Sequence, residues 1–406
     1  MTDTVPSITD LRQFYEVMDR SAVIRRRIVR DLLAGQLPSD AARETLVDIL
    51  AALEETTRGT TRAELPLNRT KTQTASLDLS YEISELRKDL VFLEQGRKGF
   101  VDHLSTLHPD FDMSVRKVTD QLHGTNWACF ITDRDGTTNN YCGRYRSSVQ
   151  AVWNSVYLTQ FSQTTQFPVF VTSGPLSNGG ILDVSVNPEG SFLYAASKGR
   201  ECLDREGTLH RYPVPEDKQK LLDDLNQRLQ EIVDTPECEQ FGLIGSGLQF
   251  KFGQSTIARQ DITESIPYEE SKNFLEVIEN LVRELDPEEK NFRIEDTGLD
   301  IEIILTIGDE QSGLKDFDKG DAVRYLDQKI GFRMAETGPH LVCGDTFSDI
   351  PMIQAAQALN DSTRAIFVTR KEELAGRVRA LDSGIIIVPE PDVLVASLYL
   401  LSGDRQ

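Results

Sequence analysis

No run of apolar residues in this chain is long enough to span a bilayer, and the polar, acidic opening MTDTVPSITD lacks the basic and apolar regions of a signal peptide. Cysteine is scarce. The five cysteines, Cys129, Cys142, Cys202, Cys238 and Cys343, are odd in number and show neither C-x-x-C spacing nor a Cys/His zinc pattern. Cys129 and Cys343 sit in apolar runs, so the thiols read as reduced small hydrophobes, which points to a cytoplasmic location. The five histidines have no ligand spacing either. Positive charge is in shortest supply: 44 Lys and Arg against 65 Asp and Glu leave a net charge of −21. Such a field repels nucleic acid and anionic membranes, so neither is an expected partner, although a local basic pocket can still hold a small phosphate ester.

What is present is an ordinary globular composition, 39% hydrophobic and 27% charged, on a chain of 406 residues, which implies two or three domains. Residues 1–115 read as an all-α helical bundle. Leu11, Phe14, Met18, Ile24, Ile28 and Leu32 recur at helical spacing up to Gly35, and Ser39 or Asp40 can cap a second helix bearing Leu46, Leu50 and Leu53. A third helix carries a narrow seam of Leu79, Ile83, Leu86, Leu90 and Leu93, like that of a coiled coil, which suggests packing, self-association or docking of another protein. Residues 56–76, rich in Thr and Arg, read as a linker.

Beyond Pro109 the pattern changes. Near-continuous apolar runs at 127–131, 167–171, 341–343, 365–368 and 385–388 predict strands of a parallel sheet covered on both faces, hence a Rossmann-like α/β core in two parts, 116–203 and 315–406. Residues 204–314 interrupt it with alternating segments and acidic helical stretches, which predicts an inserted α+β domain.

Ligands of an open parallel sheet bind beyond the carboxyl ends of its strands. The stretch Ile131-Thr132-Asp133-Arg134-Asp135-Gly136-Thr137 ends the first run with two acids one residue apart. Thr172 and Ser173 follow the second run, and Gly344-Asp345-Thr346-Phe347-Ser348-Asp349 follows the third. Crowded carboxylates call for a cation or a shared proton, and an oxygen-rich site suits Mg²⁺ and phosphate. Asp133 can attack phosphorus, and Asp135, two residues along an extended chain, can protonate a leaving alcohol and then activate water. Gly136 permits a sharp turn that brings the following amides near phosphate.

Together with Lys319 in Asp318-Lys319-Gly320-Asp321-Ala322-Val323, these four motifs resemble those of the haloacid dehalogenase superfamily, in its phosphatase and mutase branches. The resemblance implies Asp133 as nucleophile, Asp135 as acid/base with its backbone carbonyl on Mg²⁺, Lys319 as neutraliser of the nucleophile and phosphate, Asp345 as a metal ligand and Asp349 as orienter of the lysine or the metal. Thr172 or Ser173 would hold a phosphate oxygen. The arginine that often continues this motif is replaced by Gly174-Pro175.

The position of the insertion, with Lys319-Gly320-x-Ala322-Val323 and Gly344-Asp345-x-x-x-Asp349-Ile350-Pro351-Met352, looks like the trehalose-6-phosphate phosphatases, those of nematodes in particular. By this resemblance the insertion is a cap that grips the sugar, with Lys198, Arg200, Glu201, Gln249, Lys251, Arg259 and Glu302 as its contacts. The expected substrate is trehalose 6-phosphate. Other sugar phosphates, such as the sucrose or glucosylglycerol esters, and a binding protein with an idle phosphatase fold are the rival expectations.

Overall fold

The side chain of Asp10 accepts a hydrogen bond from the Gln13 N–H and so starts helix α1 (Leu11–Leu33), whose Leu11, Phe14, Met18 and Ile28 are fully buried. The structure, a computed structural model, describes residues 5–67, 73–309, 313–315 and 317–403. Ser39 caps α2 (Asp40–Thr57). Where a linker was expected, strands β1 (Arg62–Pro66) and β2 (Thr74–Asp78) form an antiparallel hairpin that adds to the bundle. Its signal is the alternation Ala63/Leu65 and Ala75/Leu77, buried on one face and hidden by the polar residues between. Helix α3 (Ser80–Leu107), bent at Gly96, and α4 (Phe111–Leu122) complete this part. The seam residues Leu79, Ile83 and Leu86 are buried within the chain itself, and Leu90 and Leu93 half-buried.

The core follows as β3 (Cys129–Thr132), α5 (Val152–Ser162), β4 (Phe167–Val171), the short α6 (Ile181–Val184), β5 (Leu193–Ala196), β6 (Glu201–Leu203) and β7 (Leu209–Arg211). The insertion contains α7 (Glu216–Val233), β8 (Leu248–Lys251), β9 (Gln254–Ala258), α8 (Tyr268–Leu285), β10 (Phe292–Asp296), β11 (Asp300–Leu305) and the hairpin β12 (Ile307–Asp309) and β13 (Gly313–Lys315). The chain then returns through α9 (Lys319–Leu326), β14 (His340–Gly344), α10 (Ile350–Leu359), β15 (Arg364–Val368), α11 (Glu372–Leu381), β16 (Ile386–Val388) and α12 (Pro391–Leu401).

The main sheet has the order β16-β15-β14-β3-β4-β5-β6-β7. Its strands are parallel from β16 to β5, and β6 and β7 extend it antiparallel. Strand alternation sorts the apolar side chains to two faces. Phe130, Phe170 and Cys343 pack with α5 and α12, whereas Ile131, Val169 and Val342 pack with α9 and α10. Because β7 belongs to this sheet, its hydrogen bonds keep residues 209–211 with the core, although they fall inside the span 204–314 expected for the insertion. The insertion's own sheet, β10-β11-β9-β8, is antiparallel. Ile257, Ile301 and Ile303 lie under α7 and α8 in one apolar cluster, and alternation sends Gln249, Lys251, Thr256 and Glu302 to the opposite face. Among the described residues no helix is long and apolar enough to cross a membrane.

The bundle is welded to the core through charge. One face of α3 buries Glu82, Glu85, Lys88 and Asp89, and each finds a partner. Arg25 of α1 pairs with Asp89 at 2.7 Å, both side chains wholly buried, and also donates to the Val149 carbonyl at 3.1 Å. The other oxygen of Asp89 accepts the Val152 N–H at 2.7 Å, so α3 caps the start of α5. Lys88 bridges Glu85 at 2.5 Å and Asp392 of α12 at 3.0 Å, while Arg144 and Ser147 both donate to Glu82 at 2.8 Å. These bonds hold residues 139–153, the segment that follows the two acids of the first motif. Asp89→Ala, which strands a buried guanidinium, should cost about 3–5 kcal/mol in urea unfolding, and Arg25→Met with Asp89→Leu should recover part of that. A loss under about 1 kcal/mol for Asp89→Ala would refute the clamp.

Candidate active site

Asp133 stands at the carboxyl end of β3, fixed by its N–H on the Cys343 carbonyl at 3.0 Å. Two neighbouring strands deliver the other groups: Thr172 follows β4, and Asp345 follows β14. Lys319 enters from the first turn of α9, where Asp318 caps the helix by accepting the Asp321 N–H at 2.9 Å. Gly320 lets α9 lie directly on α10, since a Cβ there would meet the Pro351 carbonyl oxygen at 2.6 Å. That approach brings Lys319 Nζ to 2.6 Å from Asp133 Oδ1 and 2.6 Å from Asp349 Oδ1, with all three side chains buried.

Burial and charge divide the acids. Asp349 is pushed up by burial, but the adjacent Lys319 ammonium and the N–H groups of Thr346 and Asp345 outweigh this and leave it below the usual carboxylate range. Asp133 is raised to about 6, chiefly by burial, with Lys319 opposing and Asp349 adding to the rise. Asp345 has no such ammonium contact. Burial first, then the charges of Asp133 and Asp349, raise it to about 8. One oxygen from each of the three lies within 4.8 Å of the others, a hard-oxygen cluster of the kind that holds a divalent cation.

Asp135 stands apart from that cluster. Its Oδ1 accepts from Arg134 Nη1 at 2.6 Å, and Arg134 in turn donates to Ser148 Oγ at 3.0 Å, which fixes the second acid against residues 139–153. The Gly136 N–H donates to the Asn139 carbonyl at 2.7 Å, and the amides that follow, of Thr137 and Thr138, donate to the Arg134 carbonyl at 3.3 and 3.0 Å. What requires glycine is a φ of +89° together with the place a Cβ would take, 2.2 Å from Asp345 Oδ2. Thr137, which sequence reading passed over, donates to Asp345 Oδ1 at 2.8 Å and lies 3.3 Å from Asp133 Oδ2.

A cavity of about 230 Å³ is lined by Asp133, Asp135, Lys319, Asp345, Thr172 and Ser173, and from the insertion by Ser246, Gln249 and Lys251. The remaining expected cap contacts have other uses or stand off its wall. Arg200 donates to the Gly253 carbonyl at 2.6 Å, Glu201 accepts from Ser197 at 3.1 Å, and Arg259 pairs with Asp296 at 2.7 Å on the insertion's own surface. Glu302 and Lys198 act on the Lys251 charge from nearby without lining the cavity. Tyr141, Tyr145 and Ser148 do line it and were missed. Their order in the chain carries no signal, because contacts with α3 place them.

Residues 130–394 match the family described as trehalose-6-phosphate phosphatase, C-terminal, and residues 10–110 match the trehalose-6-phosphate phosphatase N-terminal helical bundle domain. The chain belongs to the trehalose-6-phosphate phosphatase family. A trehalose-phosphatase of Brugia malayi is 27% identical over 98% of this chain and 86% of its own. An alpha,alpha-trehalose-phosphate synthase (UDP-forming) of Aphelenchoides avenae is 31% identical over 96% of this chain, which spans only 36% of that relative. Several relatives of this longer kind match, and the chain covers about a third of their length. The C-terminal domain structure of the C. albicans trehalose-6-phosphate phosphatase aligns over 73% of this chain and 97% of its own, with 14% identity and a TM-score of 0.44.

Within this family site, Gly136→Ala should cost about 2–4 kcal/mol in urea unfolding, from overpacking against Asp345 plus the left-handed backbone. Gly35→Ala, at φ +72° with nothing within 4 Å of the added carbon, should cost only about 1 kcal/mol. Equal costs would show that crowding by Asp345 is not what demands glycine.

Proposed function

We propose that this chain is a Mg²⁺-dependent phosphatase that hydrolyses trehalose 6-phosphate to trehalose and phosphate. The observation that carries the reading is the buried Asp133 carboxylate, held 2.6 Å from Lys319 Nζ at a strand end in a chain whose C-terminal two thirds match the family.

In the first step Asp133 attacks phosphorus. The bond to the sugar oxygen breaks, the phosphoryl group is left as an acyl phosphate on Asp133, and Asp135 gives its proton to the departing sugar oxygen. In the second step Asp135 takes a proton from water, whose oxygen attacks phosphorus and frees the Asp133 carboxylate and inorganic phosphate. Lys319 offsets charge on Asp133 and the phosphoryl group throughout, and the Thr172 or Ser173 hydroxyl donates to a phosphate oxygen. Asp133, Asp345 and Asp349, with the Asp135 backbone carbonyl, would hold Mg²⁺, which neutralises phosphoryl charge when bound.

The polar face of the insertion, with Gln249 and Lys251 in the cavity, would take the sugar. We place the protein in the cytoplasm, a reading supported by five free cysteines, three of them buried. The N-terminal bundle serves chiefly as a clamp on residues 139–153. Self-association through the Leu79 to Leu93 seam has little surface to use, because Leu79 and Leu86 are 0% exposed within one chain.

Phosphate release with Mg²⁺ should be strongest from trehalose 6-phosphate among the trehalose, sucrose, glucose and glucosylglycerol phosphates; preference for another ester would discard the trehalose reading. Asp133→Asn should abolish release and keep the fold, because an amide cannot supply the nucleophile. Chelation should silence the wild type, and added Mg²⁺ should restore it. Activity that survives either treatment would overturn the mechanism.

A further inference from the structure

The cavity at Asp133 is small, about 230 Å³, below the roughly 300–1,000 Å³ of most small-molecule sites. A second cavity of about 580 Å³ adjoins it and shares two of its lining residues, Ser246 and Gln249. Four parts of the chain meet around this space: α1, the segment of Arg146 and Val149, the loop that carries α6, and the insertion's residues 242–249. We propose that this junction is the subsite for the neutral hexose ring remote from the phosphate, so that a helix of the N-terminal bundle takes part in substrate choice. The inference rests on the phosphatase reading above and extends it to residues outside the core and the insertion.

The walls are built rather than incidental. Arg26 of α1 donates to the carbonyls of Leu182 at 2.9 Å and Ser185 at 3.0 Å, which fixes α1 to the α6 loop. Tyr15, one helical turn before Asp19, donates its hydroxyl to the Leu243 carbonyl at 2.7 Å, which fixes α1 to the insertion's loop. On the cavity's wall Asp19 and Arg146 pair at 3.1 Å, and their side chains stay 58% and 48% exposed, which leaves room for further hydrogen bonds. Arg146 belongs to the same short turn as Tyr145, which lines the phosphate cavity, so that one turn serves both spaces.

The charges select the ligand class. Arg26 and Arg146 balance Asp19 and Asp183, a net charge of zero, which suits an uncharged polyol better than a second phosphate. Ser177, Asn178, Ser246 and Gln249 add neutral hydroxyl and amide groups. A disaccharide ester whose phosphate reaches Lys319 could lay its second ring across the shared Ser246 and Gln249 into this space.

The test uses the full chain in two forms, Asp19→Ala and Val23→Trp, the latter filling the cavity from an exposed position on α1. The kcat/KM for trehalose 6-phosphate is compared with that for p-nitrophenyl phosphate, which has no sugar, and thermal unfolding checks the fold. The expected result is at least a fivefold fall in the ratio of the two values, through KM for the sugar ester. A ratio unchanged within twofold in both variants, with wild type active on trehalose 6-phosphate, overturns the subsite and leaves the phosphatase reading intact. Should Val23→Trp fail to fold, Asp19→Ala decides alone. Wild type that cleaves the aryl ester but not trehalose 6-phosphate fails the substrate reading itself, and the subsite falls with it.

Discussion

The ammonium of Lys319, set 2.6 Å from both Asp133 and Asp349 in a buried pocket, is the interaction on which the site depends. Two carboxylates removed from water and left without a cation would bind protons instead, and a neutral Asp133 could not act as the nucleophile proposed above. The lysine keeps Asp349 ionised and restrains the rise at Asp133, whereas Asp345, out of its direct reach, is raised furthest. A divalent cation held among Asp133, Asp345 and Asp349, as proposed above, would offset that uncompensated charge.

The same rule governs the N-terminal part. Helix α3 buries Glu82, Glu85, Lys88 and Asp89 among partners from α1, from α12 and from residues 139–153. Buried ion pairs contribute modestly to net stability and strongly to specificity of arrangement, because any misplacement strands a charge. Here the arrangement they specify is the wall of the cavity at Asp133, where Tyr141, Arg144, Tyr145 and Ser148 lie. The bundle is thus part of the site's architecture, although no residue of α1–α4 lines that cavity. It reaches the insertion as well, through Tyr15 on Leu243 and through β2, where the Ser76 N–H donates to Ser265 Oγ at 3.0 Å.

Much of this was legible in advance for a physical reason. Strands covered on both faces must be apolar throughout, so β3, β4, β14, β15 and β16 announce themselves, and the polar residues that end them mark the site. Strands β5, β6 and β7 escaped notice: β6 and β7 mix charged or polar residues with apolar ones at their three positions, and small Ala195 and Ala196 make up half of β5. The hairpin β1–β2 was concealed because small Ala63 and Ala75 carry half of its apolar face. Two of the charged residues expected to grip sugar have partners within the protein, Arg259 in Asp296 and Arg200 in Gly253, and nothing in the local order of residues names either.

By itself, then, the order of amino acids determined the parallel α/β core, the inserted domain and the acids of the motifs, because periodicity and strand-end polarity are local properties. Tertiary structure decided which charges meet: the pairing of Lys319 with Asp133, 186 residues apart, was expected only through the family resemblance, and that of Lys88 with Asp392, 304 apart, not at all. Contacts over such distances depend on how layers pack and on where burial makes an unpaired charge intolerable, and no local pattern encodes either.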